Sequence, residues 1–191
     1  HRCECFYPTT AKCRYIKHRM NSIFWLFGRS AAGKTTLAHA LQQKLLAIPH
    51  IYLDGDEMRN GLSQDLGYDE HSRWENHRRM ACMAHLIAKQ NHLVLLSSMA
   101  PLAAYREQIN RMLDNGVYWI YVDTPLDECI RRDPKKLYQR SSSNGILSFP
   151  FDEPCVNEQV YTFNGMQINT TSVNALAERI VTVYRAGNYA I

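Results

Sequence analysis

Ile23-Phe24-Trp25-Leu26-Phe27, followed at once by Gly28-Arg29-Ser30-Ala31-Ala32-Gly33-Lys34-Thr35, is the stretch on which the reading of this chain turns. An unbroken apolar run closed by a glycine has the pattern of a strand buried on both faces. Past the second glycine, Leu37, Ala38, Leu41, Leu45 and Leu46 recur at helical spacing. The octapeptide between them is G-x-x-x-x-G-K-[ST] in the strand-to-helix context that gives this motif its meaning. Gly28 and Gly33 let the backbone curl so that successive N–H groups face an anion. The helix from Lys34 adds the positive end of its dipole. Gly28 to Thr35, with Thr36, are therefore expected to cradle the phosphates of a nucleoside triphosphate. Lys34 would bridge the β- and γ-phosphates and the Thr35 hydroxyl would hold Mg²⁺.

Away from this loop the chain alternates. Pro49 stops the first helix, and Ile51-Tyr52-Leu53 is a short strand ending in Asp54-Gly55-Asp56. Ser72 and Glu75 have the spacing of a capping box opening a helix through about Gln90. His92 to Leu96 is a third buried strand, and Pro101 suits the first turn of the next helix. Val117 to Val122 is a fourth strand, with Thr124-Pro125 opening a short helix. Arg131 to Pro154 reads as a mobile loop with one helical turn, Val160 to Phe163 as a last strand, and Ser172 to Arg185 as a closing helix. This order implies an α/β fold with a mainly parallel sheet.

Composition bounds the partners. The chain has 191 residues, a default of one compact domain, and a formal charge of +4. Residues 1–19 hold five of the 22 basic and one of the 18 acidic residues, leaving 17 of each in the remainder. A neutral body argues against a broad nucleic-acid footprint. No run approaches the ~18 apolar residues of a membrane helix. Cys82, Cys129 and Cys155 are scattered as in a protein of the reducing cytoplasm. The spacing of Cys3, Cys5, Cys13 and His18 matches no common zinc module. Residues 1–19 read as a leader or non-domain segment, and residues 20–191 as the domain.

Three further clusters carry chemistry. Asp54 and Asp56 close the second strand, at the sheet edge where open parallel sheets bind ligands. A carboxylate there can orient Mg²⁺ or accept a proton from an attacking hydroxyl. The third strand ends in Ser97-Ser98, with no acidic residue, so this work falls to Asp54 and Asp56. Arg59, Arg73, Asn76, Arg78 and Arg79 offer forks suited to sulfate and phosphate oxygens. Arg131-Arg132-Asp133-Pro134-Lys135-Lys136-Leu137-Tyr138 follows the fourth strand, where small phosphoryl-transfer kinases carry a lid.

Taken together, Leu53 to Tyr68 (LDGDEMRNGLSQDLGY), Ser72 to Arg79 (SRWENHRR) and Val122 to Tyr138 (VDTPLDECIRRDPKKLY), with the phosphate loop, resemble the adenylylsulfate (APS) kinases. The resemblance runs from about Phe24 to Gly165. It implies a three-layer P-loop NTPase fold with a lid loop, ATP and Mg²⁺ as cofactors, and phosphorylation of the 3′-hydroxyl of adenosine 5′-phosphosulfate to give PAPS. It implies Asp56 as the base beside the acceptor hydroxyl, with Lys34 on the phosphates and Thr35 and Asp54 at the metal. Asp54, Arg59, Arg73 and Asn76 would line the acceptor, Tyr68 would stack on its base, Lys135 would sit in the lid and Arg132 against the donor nucleotide. A homodimer is also implied.

The chain departs from the family pattern at Glu57 for asparagine, at Met99-Ala100-Pro101 for Ile-Ser-Pro, and at Lys136 for glycine. A segment like the family's FTGID is not recognisable, and Phe149 is the candidate replacement for its aromatic. Two other readings therefore stand: a sister kinase for a different small nucleotide-like acceptor such as cytidine diphosphoramidate, and a silent nucleotide-binding module.

Overall fold

The computed structural model describes residues 22–138, 150–156 and 158–188. The segment 1–19 and Phe149 lie outside these residues. Five strands, β1 (Ile23–Phe27), β2 (His50–Asp54), β3 (Leu93–Ser98), β4 (Val117–Asp123) and β5 (Val160–Asn164), form one sheet in the order β2-β3-β1-β4-β5. Every pairing is parallel, so the sheet is wholly and not mainly parallel. The helices are α1 (Lys34–Lys44), α2 (Gly55–Asn60), α3 (Glu70–Ala88), α4 (Ala103–Met112), α5 (Leu126–Arg132) and α6 (Thr170–Asn188).

β1 is the central strand, and none of its residues is more than 1% exposed. Its alternate side chains feed two separate cores, as the period of a strand requires. Phe24 and Leu26 pack with Leu37 and Leu41 of α1 and Leu176 and Ile180 of α6. Ile23, Trp25 and Phe27 pack with Met80 and Ala84 of α3 and Tyr105 and Ile109 of α4. Each such apolar side chain contributes about 1.5–3 kcal/mol when buried. The result is three layers with the phosphate loop leaving the carboxyl end of the central strand.

Two helix starts differ from expectation. α3 begins at Glu70, two residues before Ser72. The Asp69 carboxylate accepts from the Ser72 backbone N–H at 2.9 Å and from its hydroxyl at 2.6 Å, so Asp69 and not Ser72 is the cap. Glu75 instead pairs with Arg78 and Arg79. α4 begins after Pro101, at Ala103, whose N–H is capped by the Asp152 carboxylate at 2.9 Å. A carboxylate 49 residues away thus supplies the N-terminal partner that local residues lack. α5 runs through Arg131 and Arg132, which stand on a helix and not in the loop assigned to them.

Candidate active site

β1 ends where Gly28 and Gly33 perform different tasks. A side chain at Gly28 would meet the Val122 carbonyl oxygen at 2.7 Å, so the loop can pass close to β4 only without one. Gly33, at φ 99°, is the left-handed residue that starts α1, and no side chain caps that helix. Its first N–H groups remain available to an anion. Lys34 folds back over the loop and donates to the carbonyls of Gly28 at 2.9 Å and Arg29 at 2.6 Å. Burial lowers its pKa to about 8, against the opposing pull of Asp56 and Asp54.

The loop leads into a cleft of about 1610 Å³. Its walls bring together Ser30, Ala31, Gly33, Lys34, Thr35 and Thr36 with Asp54, Asp56, Arg59, Tyr68, Arg73, Asn76, Arg132 and Lys135. The remaining loop residues act from behind. Ala32 is buried, and its carbonyl accepts from Thr124 at 2.8 Å. The Arg29 side chain leaves the loop, pairs with Glu153 at 3.1 Å and lies 4.6 Å over the Phe151 ring. Its carbonyl stays with the loop and accepts from Lys34 at 2.6 Å.

Asp54 sits at the hub of the cleft floor. Its Oδ2 accepts from Ser97 at 2.7 Å, Tyr52 at 2.8 Å and Thr35 at 3.2 Å, and its Oδ1 accepts the Asp56 backbone N–H at 2.8 Å. Burial pushes this carboxyl up, but the hydrogen bonds from Ser97, Asp56 and Tyr52 outweigh it and hold the pKa below the usual value. Tyr52 lies two residues before Asp54 on the same strand face, and Ser97 is the register partner of Asp54 on β3. A hydroxyl beside an ionised carboxylate is a hard-oxygen pair of the kind Mg²⁺ prefers, so Thr35 and Asp54 fit that ion.

Asp56 opens α2 with an exposed side chain that forms an ion pair with Lys135 of the 133–138 segment. That segment is braced by Asp133, whose carboxylate accepts from the N–H groups of Leu137 at 2.8 Å and Tyr138 at 3.0 Å. Tyr138 in turn donates to the Ser30 carbonyl at 2.9 Å, tying the lid to the phosphate loop.

At one end of the cleft, Arg132 is held by Glu128 at 2.6 Å and reaches the Met166 sulfur at 3.4 Å, with Ile168 packed close to Gly33. At the other end, the Arg59 guanidinium lies 4.6 Å and that of Arg73 5.8 Å from the Tyr68 ring centre. Arg59 donates to the Gly67 carbonyl and Arg73 to the Tyr68 carbonyl, each at 2.7 Å. Asn76 is 2% exposed, yet its Oδ1 has no hydrogen-bond partner among the described residues. Arg78 and Arg79 turn elsewhere: both bind Glu75, and Arg79 also grips Asp65 through two bonds of 2.6 and 2.8 Å.

The sequence reading missed Tyr52, Ser97, His77, Met166 and Ile168 as parts of this cleft, and it placed Tyr138 in the lid without its bond to Ser30. Tyr52 alone carried a local signal, through its two-residue spacing from Asp54.

A family model described as adenylylsulphate kinase matches residues 20–158. The chain is 35% identical to the bifunctional enzyme NodQ of Azospirillum brasilense over 95% of its length, but spans only 30% of that protein. It is 35% identical to the adenylyl-sulfate kinase of Aeromonas salmonicida, covering 91% of this chain and 90% of that one. Among solved structures, the Mycobacterium tuberculosis APS kinase CysC, in complex with AMPPNP and APS, superposes with a TM-score of 0.69 at 30% identity, covering 85% of this chain and 96% of that one. The motifs, the three-layer fold and these likenesses agree: the chain belongs to the adenylylsulphate kinase family.

Proposed function

We propose that this chain transfers the γ-phosphoryl group of ATP to the 3′-hydroxyl of adenosine 5′-phosphosulfate, releasing ADP and PAPS. One observation carries the acceptor half of this reading. The buried, unpartnered Asn76 oxygen shares a wall with Arg59, Arg73 and Tyr68, on the same cleft as the phosphate loop. A buried polar atom without a partner marks a place that a ligand group satisfies. Two arginine forks beside it suit an anionic phosphosulfate, and the Tyr68 ring, 69% exposed, offers a face for a base. The relatives named adenylyl-sulfate kinase support the same acceptor.

The chemistry follows from position. Lys34 and the first N–H groups of α1 hold the triphosphate, and Arg132, Met166 and Ile168 flank its nucleoside. The acceptor oxygen attacks the γ-phosphorus in line, its proton passes to Asp56, and the bond to the β-phosphate oxygen breaks with its electrons leaving on ADP. Thr35 and Asp54 would hold Mg²⁺, which neutralises phosphate charge when bound. Lys135 closes over the phosphates once it leaves Asp56, excluding water that would otherwise hydrolyse the donor. Ala100 has no hydroxyl to phosphorylate, so transfer is direct. The free thiols of Cys82, Cys129 and Cys155 support a cytoplasmic reading, and the homodimer implied by the family resemblance is to be checked by light scattering.

Measuring ADP release with ATP and Mg²⁺, against APS and against cytidine diphosphoramidate, tests the assignment. Rapid turnover with APS and none with cytidine diphosphoramidate is expected. Turnover with the second alone would replace the acceptor, and turnover with neither would leave a nucleotide-binding module.

A further inference from the structure

His77 is 5% exposed, lines the acceptor end of the cleft and has no part in the chemistry just described. Both of its ring nitrogens are engaged. Nδ1 lies 2.6 Å from the Arg73 carbonyl oxygen, one turn back on α3, and must donate to it. Nε2 accepts the Ala100 backbone N–H at 3.2 Å. One donor and one acceptor define the neutral Nδ1–H tautomer. The ring is stacked on Trp25 of β1 at 6.2 Å and tilted against Tyr105 of α4 at 5.7 Å, so both neighbours restrain it. Burial lowers its pKa to about 4, opposed by the bond to the Arg73 carbonyl and reinforced by the charges of Arg59 and Arg73.

Ala100 is an unusual partner. Its φ of 37° is a left-handed conformation that an alanine keeps only when its surroundings impose it. The peptide is pinned from two sides. Its carbonyl accepts from Arg106 Nη1 at 3.0 Å, and Arg106 is itself gripped by Glu158 at 2.7 and 2.9 Å. His77 supplies the other restraint, reaching Ala100 from the helix that carries Arg73 and Asn76. Met99 and Pro101, on either side of Ala100, line the same cleft.

We propose that His77 is a positioning residue, locking the Met99–Pro101 corner against the α3 turn that carries Arg73 and Asn76 and so setting the shape of the acceptor half. This rests on the acceptor-half reading given above. It predicts an effect that falls more on acceptor binding than on the donor half, because the phosphate loop touches this corner through one long bond, Gly28 N–H to the Met99 carbonyl at 3.4 Å, and is otherwise braced by Tyr138 and Thr124.

Two near-isosteric substitutions separate the ring's contacts. In His77→Gln the side-chain oxygen reaches the Nε2 position and can still accept from Ala100. In His77→Asn the amide nitrogen mimics Nδ1 and the Ala100 N–H loses its partner. With the acceptor that wild type turns over, His77→Asn should raise the acceptor KM roughly tenfold while His77→Gln stays within roughly threefold, the scale of one buried hydrogen bond. The KM for ATP and kcat should move little in either. Equal effects of the two substitutions, or a loss falling on ATP, would overturn the proposal.

Two measurements need no acceptor and keep the test apart from the identity of the substrate. Ala100 amide exchange should accelerate in His77→Asn and not in His77→Gln; an unchanged rate in the first refutes the lock. Nitrogen-detected spectra of the wild-type ring should show the Nδ1–H tautomer at neutral pH, and the Nε2–H form would refute it even if both variants failed to fold.

Discussion

Lys135 of the lid and Asp56 at the start of α2 are joined in an ion pair across the mouth of the cleft, so the lid cation rests on the carboxylate assigned as base. Both side chains are more than half exposed, at 54% and 65%, and such pairs contribute about 1 kcal/mol or less to stability. The pair is thus easily exchanged for contacts to substrates. Removing either partner should leave the melting temperature nearly unchanged while kcat falls. Asp56→Asn should lose roughly 10²–10⁴-fold in kcat, the range for a positioned proton acceptor. Unchanged turnover in Asp56→Asn would remove it from the mechanism.

Lys34 provides a pH signature. Its pKa is lowered to about 8 by burial, so the free enzyme carries the charged form below that value and loses it above. Only the charged form attracts phosphate. kcat/KM for ATP should therefore be flat below pH 8 and then fall by about tenfold per unit. A profile still flat at pH 9.5 would contradict the buried environment. Lys34→Met should cost roughly 10²–10³-fold, as for loss of one preorganised donor.

The hydroxyl of Thr35, which donates to Asp54 at 3.2 Å, is the proposed protein contact to Mg²⁺. Chelation should abolish ADP release. Thr35→Ser should retain turnover at ordinary Mg²⁺, whereas Thr35→Ala should shift the Mg²⁺ titration about tenfold upward. Equal titration curves for the two variants would show that this hydroxyl is not a ligand.

Tyr68 tests the acceptor wall. Its ring face, not its hydroxyl, is offered to a base, so Tyr68→Phe should keep the acceptor KM within about twofold. Tyr68→Ala should raise it by roughly 5–100-fold, the worth of one base–aromatic stack. A large loss in Tyr68→Phe would mean that the hydroxyl makes the contact.

His77 also predicts acid sensitivity of the fold. Its pKa is near 4 in the folded chain and 6.5 in a model peptide, so between these values the unfolded chain binds a proton that the folded chain refuses. The contribution is fully present above pH 6.5 and is lost as pH falls through the window toward 4. Urea unfolding should show about 2 kcal/mol less stability at pH 5 than at pH 7, and His77→Gln should lack that increment. Identical slopes in the two proteins would contradict it.

The phosphate loop could be read directly because its strand, glycines and lysine are contiguous, with Lys34 folding onto the nearby Gly28 and Arg29 carbonyls; only the close passage of Gly28 past Val122 depended on a distant strand. The buried β1 run likewise announced a central strand, since a strand covered on both faces leaves no polar alternation. Arg59, Arg73, Asn76 and the Asp54–Asp56 turn were also legible, and the fold brings them to one cleft, whereas Arg78 and Arg79 of the same cluster turn to Glu75 and Asp65. Local chemistry was ambiguous at the start of α3, where Asp69 and Ser72 can both cap and the carboxylate takes both polar hydrogens of the serine.

What the chain order concealed are the pairings made by register and packing. Parallel alignment of β2 with β3 places Ser97 against Asp54, 43 residues apart, and creates the hydroxyl cluster around that carboxylate. Packing of α3 over β1 brings His77 to Ala100, and the return of the chain before β5 brings Asp152 to α4 and Glu158 to Arg106. Hydrogen-bond partners of this kind are selected by where buried groups find themselves after the layers close, and periodicity along the chain carries no record of them. The proposed donor half was therefore written largely in adjacent residues, while the bracing of the proposed acceptor half arose only when distant segments met.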